Sequence, residues 1–329
     1  MILGGSLLLN TIMTQIYSQQ IDTWRDPSPH SIQFVTIGKH VKLEVLDWGG
    51  NGKPVILIAG GGNTAHVFDE FAPKLTFKYH IYGITRRGFG ASGFSVLEQV
   101  DQLGDDVLTV IDSLKLNRPV LIGHSIAGTE LSSIAISHPD KISGLVYLEA
   151  GYPYAFDNGK GATMKEFLEI SGPKPPTPND NDLTSFSALQ KWDTQVYGFR
   201  MPEAEFRQIW DSTSDGRPTK LRDFPGNSMF MNIMTSTRKY KNIPVPALVI
   251  FAIPHLQEAW MKDSTDPAVR KQVETYFTTL DDLAKKQAKA FKEGVPTSRV
   301  MRIRGMHYIF LSNKPVILRR ICTFVDSLR

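Results

Sequence analysis

Cysteine is the scarcest chemistry in this chain of 329 residues, with one copy. Cys322 alone can form no intrachain disulfide, and centres built on cysteine clusters are excluded. Charge of one sign is scarce too: 37 Lys+Arg against 33 Asp+Glu leave a formal net charge of +4. Spread over this length, that surplus is too weak to mark a nucleic-acid partner. No run reaches the roughly 18 consecutive apolar residues that a membrane helix needs. Glycine (26) and proline (20) are near average, so the chain is neither collagen-like nor low-complexity. Internal repeats are absent. What is present, 41% hydrophobic and 21% charged residues, suits one large globular domain or two medium ones.

Residues 1–13 (MILGGSLLLNTIM) are mostly apolar, and small or polar residues follow around Tyr17-Ser18-Gln19. That resembles the apolar core and cleavage region of a secretory signal, without its basic start. Two readings stay open for residues 1–30: a signal remnant of a secreted or periplasmic protein, or a tail or short helix of a cytoplasmic one.

From Ser31 onward, strands alternate with helices. Residues 31–37 and 41–48 alternate in polarity, as a half-buried antiparallel pair does. Residues 54–59 (PVILIA) form a continuous apolar run, the mark of a strand buried on both faces. Residues 79–84, 119–122, 144–148 and 246–251 repeat that style, and 300–303 adds a last short strand. Helical spacing covers 96–114, 126–137, 268–293 and 315–328. The expectation is a mainly parallel eight-stranded sheet with helices on both faces. Residues 151–242 break the rhythm with a Pro-rich loop at 172–178 and helix-like pieces at 183–192 and 203–210. An insertion of that size predicts a helical cap between core segments 31–150 and 243–329. The lysines at 285, 286, 289 and 292 read as a solvated helix face, and Cys322 as core.

The motif with chemistry follows the 119–122 strand: Gly123-His124-Ser125-Ile126-Ala127-Gly128, with a helical pattern starting at once. Strand, sharp turn with serine, and helix make a nucleophile elbow, whose small neighbours leave room for a strained serine. One oxyanion donor is then the N–H of Ile126 at the helix start. The other is assigned to Gly61, in the loop Gly60-Gly61-Gly62-Asn63 after the 54–59 strand. Gly62, Asn63, His66 and His124 are candidate substrate contacts, with His66 at the pocket entrance and His124 also readable as packing. Among eight histidines, His307 stands after the last strand and before the closing helix, where an acyl-transfer base belongs in chain order. The acid is open between two residues. Glu149 ends the 144–148 strand at the same sheet edge as Ser125. Glu258 follows the 246–251 strand, whose turn carries no Asp.

Together these residues resemble the α/β-hydrolase superfamily from about Ser31 to Arg329. The likeness rests on Gly60-Gly61-Gly62, on Arg86-Arg87-Gly88-Phe89-Gly90-Ala91-Ser92, on the Ser125 elbow and on His307. The chain departs from the family pattern at Thr85 (often Asp), Ala59 (often His) and Ala127 (often Gly). In placing a Glu after the sixth strand it is similar to zearalenone-type lactone hydrolases; more broadly it resembles bacterial esterases and proline iminopeptidases. The resemblance implies a cofactor-free, metal-free serine hydrolase acting on a small carboxylic ester or lactone. Amide or N-terminal proline-peptide cleavage, C–C cleavage, and a non-catalytic binding protein are the alternatives. Serine at the elbow argues against dehalogenase or epoxide-hydrolase chemistry, which uses Asp there. The cap aromatics Phe167, Phe186, Trp192, Tyr197, Phe206 and Trp210 are candidates for an apolar pocket.

Overall fold

The computed structural model describes residues 24–38 and 40–328, so the signal-like stretch 1–20 lies outside the described residues. Eight strands form one sheet: β1 (Ser31–Ile37), β2 (Val41–Gly49), β3 (Lys53–Ile58), β4 (Tyr79–Ile84), β5 (Val120–His124), β6 (Gly144–Leu148), and, after an insertion, β9 (Ala247–His255) and β10 (Ser298–Gly305). Their spatial order is β1-β2-β4-β3-β5-β6-β9-β10. β2 runs antiparallel to β1 and β4, and all other pairs are parallel.

The central strands are buried on both faces because helices cover both. β5 and β6 are buried at every position. β10 is longer than the apolar run 300–303 predicts. It is an edge strand whose Arg299, Arg302 and Arg304 point to solvent, and outward charge on an edge deters pairing with a foreign strand. That charge also hides the strand from a search for apolar runs.

Helix α1 is Gln102–Ser113, α2 is Gly128–Ser137, and α3 to α6 lie in the insertion (Met164–Leu168, Phe186–Tyr197, Glu203–Ile209, Asn227–Met234). After β9 come α7 (Ala259–Asp263) and α8 (Pro267–Gly294), and after β10 come α9 (Ile309–Ser312) and α10 (Lys314–Asp326). The predicted helix over 96–114 starts only at Gln102, since Val96 is exposed and has no apolar surface to join. α4 ends where signals demand: the Ser185 side chain accepts from Ala188 N, and Gly198 closes the helix at φ +84°. The α8 lysines are solvated, paired with Asp282, Glu166 and Glu293. Cys322 is half-buried at the core margin.

The insertion is not all helix. Residues Trp210–Ser212 (β7) and Pro218–Leu221 (β8) pair as a small antiparallel hairpin. Its turn is set by Asp215-Gly216, with Gly216 at φ +83° and Thr213 N donating to Arg217 O at 2.9 Å. Each strand buries only its first residue, so no apolar run betrays it.

Gly128, at the start of α2, fixes how closely that helix approaches the end of β6. A Cβ there would lie 2.0 Å from the Ala150 carbonyl oxygen and 2.8 Å from the Ala155 Cβ. Both neighbours are parts of the chain that cannot rotate away. Gly128→Ala is therefore expected to destabilise the fold by about 1–3 kcal/mol or more, as overpacking does. Urea unfolding checks this, and an unchanged midpoint contradicts it.

Candidate active site

The register of β5 on β6 pairs His124 with Leu148. The next residues, Ser125 and Glu149, therefore leave the sheet side by side at the C-terminal ends of neighbouring strands. Both have left-handed backbones, at φ +54° and +50°. A non-glycine residue held there costs about 1–3 kcal/mol and persists only where the surroundings over-determine it. Packing of α2 against β6 supplies that determination.

The Glu149 side chain is fully buried. Its Oε1 accepts from the backbone N–H of Ala252. Its Oε2 accepts from the Tyr152 hydroxyl at 2.8 Å and faces His255 Nε2 at 3.2 Å and His307 Nδ1 at 3.5 Å. Burial alone would raise the pKa of this carboxyl, but the bonds and positive charge offered by the two histidines hold it far below the usual range. Burial and the negative charge of Glu149 push the Tyr152 phenol well up, so it stays a donor.

His255 is a part of the site that the sequence analysis did not single out. Its Nδ1 lies 2.6 Å from Asp281 Oδ1, on α8, and that oxygen also accepts from the His255 backbone N at 3.0 Å. Both ring nitrogens thus face carboxylates. Burial favours the neutral ring, yet Glu149 and Asp281 outweigh it and raise the pKa. The signal missed was a histidine at the end of β9, in the turn searched only for a carboxylate.

His307 follows β10 with its side chain half exposed. Its backbone carbonyl accepts from His124 Nε2 at 3.1 Å. His124 is buried, and burial together with the neighbouring His307 lowers its pKa to about 3, so the ring is neutral. Its other nitrogen sits where a Cβ on Gly60 would be, 2.9 Å away, with Ser125 Cβ at 3.1 Å. Only glycine fits at position 60.

The Gly60–Asn63 loop is held from several directions. Arg86 donates to the Ala59 and Gly60 carbonyls at 2.9 and 3.2 Å while paired with buried Glu130 at 2.7 Å. Glu205, on α5, accepts from Asn63 Nδ2 at 2.9 Å, from Thr64 N at 3.0 Å and from the Thr64 hydroxyl. The Tyr308 hydroxyl donates to Asn63 Oδ1 at 2.8 Å. Glu205 was not legible in the sequence, because a lone acid in a cap helix carries no pattern. Thr85, in the place of the family's Asp, donates to Glu44 at 2.7 Å and accepts from Ala65 N at 3.0 Å.

A cavity of about 350 Å³ opens on Ser125, Ile126, Glu149, His255 and His307. Phe167, Phe230 and Met234 are among its apolar walls, and Tyr154 lines it together with Ser125. A second cavity of about 650 Å³ is lined by Gly61, Gly62 and Asn63 and by the cap aromatics Trp192, Tyr197, Phe206 and Trp210. Gly61 stands between them, since a Cβ on it would touch Phe230 at 3.0 Å and Ile126 at 3.3 Å. Phe186 is in the core instead. Three site candidates from the sequence, His124, Glu258 and His66, line neither cavity. Glu258 accepts from Trp260 Nε1 at 2.7 Å. His66, expected at the pocket entrance, is buried among carboxylates, with Asp69 at 2.8 Å from its Nδ1. The 3-10 turn Ala65–Phe68 points its ring away from the serine.

Residues 53–207 match the family described as alpha/beta hydrolase fold. A pyrethroid hydrolase of Sphingobium wenxiniae is 28% identical over 187 residues, 51% of this chain and 64% of that protein. Epoxide hydrolase 4 of Homo sapiens is 25% identical over 177 residues, 47% of each chain. The crystal structure of E-2-(acetamidomethylene)succinate hydrolase superposes with a TM-score of 0.60 at 14% identity, over 91% of this chain and 100% of that one. The fold is that of the α/β hydrolases. The chain spans less than two thirds of the length of either curated relative.

The His255 charge has a consequence for stability. Its folded pKa lies above the ordinary 6.5, so its contribution is fully present below pH 6.5 and is lost as pH rises through the folded value. The melting midpoint should fall on that alkaline side, and His255→Gln should flatten the decline. An equally steep alkaline limb in the variant refutes a buried imidazolium.

Proposed function

We propose that this chain is a serine hydrolase that cleaves a carboxylic ester, open-chain or lactone, through an acyl-enzyme. The observation that carries the reading is the meeting of Ser125, His307 and buried Glu149 in one cavity. Ser125 Oγ adds to the substrate carbonyl as its proton passes to His307 Nε2. His307 Nδ1–H, facing Glu149, keeps the tautomer that leaves Nε2 free to accept. The N–H groups of Gly61 and Ile126 take the oxyanion. Collapse expels the alcohol, protonated by His307. Water, deprotonated by the same ring, then releases the acid and restores Ser125.

His255 acts as a positioning residue: from the buried side it faces the same Glu149 oxygen that His307 Nδ1 faces. His124 sets the His307 backbone and has no contact with substrate. The apolar cavities on either side of Gly61 favour an ester with an apolar group on each side of the carbonyl. The likeness to a pyrethroid hydrolase supports the same substrate class. Serine at the elbow distinguishes this reading from epoxide opening.

A fluorophosphonate probe should label Ser125 at neutral pH, and absence of labelling sinks the enzyme reading. On p-nitrophenyl esters, Glu149→Gln should lower kcat by up to about 10⁴, the loss seen when an orienting carboxylate is neutralised. Glu258→Gln should leave it within a few-fold. The opposite ranking transfers the acid role to Glu258.

A further inference from the structure

Two histidines and two aspartates meet where the N-terminal segment crosses the 3-10 turn Ala65–Phe68. Asp26, His30, His66 and Asp69 place one donor atom each within 4.8 Å of one another. His66 Nδ1 lies 2.8 Å from Asp69 Oδ2 and 3.3 Å from Asp26 Oδ2, and His30 Nδ1 lies 3.0 Å from Asp69 Oδ1. A tetrahedral ion with bonds near 2.0–2.2 Å sets its ligand atoms roughly 3.3 Å apart. The observed separations, taken to either oxygen of Asp69, run from 2.8 Å up to that figure.

A second observation points to a shared ligand. His30 Nδ1 is buried and makes no hydrogen bond among the described residues, although Asp69 Oδ1 is only 3.0 Å away. Nitrogen and oxygen are close without being aligned on each other, as two atoms directed at a common centre are. The His30, His66 and Asp69 side chains are at most 4% exposed. One outer partner is in place, and a second lies just beyond hydrogen-bond range. His66 Nε2, with no hydrogen-bond partner, faces Glu44 Oε1 at 3.8 Å, and Trp48 Nε1 donates to Asp69 Oδ1 at 3.2 Å. Carboxylate or indole contacts of this kind orient ligands from behind.

We propose that Asp26, His30, His66 and Asp69 form a structural site for a divalent transition ion of the zinc type. Two imidazoles with two carboxylates suit zinc rather than calcium or magnesium, which take oxygen ligands. Four protein ligands leave no open position, so the ion has no part in the hydrolysis. Its work is mechanical. It fastens the N-terminal segment to the turn that closes the Gly60–Asn63 loop, beside Trp24, which already stacks under Arg207 of α5 at 4.4 Å. The metal-free expectation from the sequence followed from missing cysteines, and this site needs none.

The test uses the whole chain without a histidine tag, stripped with EDTA and then given Zn²⁺ or Co²⁺ alone. About one zinc per chain should survive desalting, measured by plasma mass spectrometry, and the melting midpoint should rise with Zn²⁺. The Co²⁺ form should show the intense visible bands of tetrahedral coordination. His30→Gln and Asp26→Asn should each weaken uptake by at least the roughly 10- to 100-fold that loss of even an outer partner causes. Wild-type protein that keeps no zinc, or weak octahedral Co²⁺ bands, overturns the site and leaves the four side chains an ion-pair network. Equal uptake by wild type and folded variants places the metal elsewhere and overturns it too. If a variant fails to fold, the wild-type zinc content and Co²⁺ spectrum still decide.

Discussion

A carboxylate with no exposed surface must be matched by donors and positive charge, and the active-edge architecture follows from how Glu149 is matched. One oxygen is bonded by the backbone of β9, and the other faces a phenol and two imidazoles. Removing any one of these would leave charge uncompensated in a dry place. The strained backbone at Glu149 is tolerable for the same reason: its side chain is held from four directions. In the proposed triad the acid therefore does not need the turn after β9, where the family pattern places it. β9 instead contributes an N–H and a histidine to an acid that arrives from β6.

The loop before the 3-10 turn shows the same logic, its own uncharged N–H and C=O groups being the ones matched. Three glycines give the backbone freedom to lie against Ser125 and His124, and that freedom must then be removed. Arg86 holds the loop from below, Glu205 from the cap and Tyr308 from the segment after His307. The cap thereby enters the site twice, as wall and as brace. A shift of α5 would be felt at Asn63 before any substrate contact changed.

What was legible in the sequence were features with a local period or a local turn. The central strands announce themselves as apolar runs, and the elbow as small residues around Ser125. Glu149 was legible as a single acid ending such a run at the right edge. Contacts made across the chain were not. Asp281 meets His255 from within a long solvated helix, and Glu205 meets Asn63 from a cap helix. Neither has a neighbour in sequence that marks it. The β7–β8 hairpin escaped because a strand with one buried residue has no alternation to read. His66 was misplaced because a histidine near a glycine loop says nothing about which way the next turn carries it.

The two histidines on Glu149 differ in the one property their proposed roles require. His307 is half exposed and His255 is nearly closed off. A ring that must take a proton from serine and pass it to a departing alcohol has to reach substrate and water, and its charge has to change within a turnover. A ring that keeps a carboxylate ionised and in place must hold its charge throughout. The facing carboxylates of Glu149 and Asp281 favour that charge against the effect of burial, because deprotonation would leave two acids facing a neutral ring. The asymmetry also sets direction. With His255 facing Oε2 of Glu149 from the buried side, the role proposed for this acid is to stabilise the imidazolium that forms on His307.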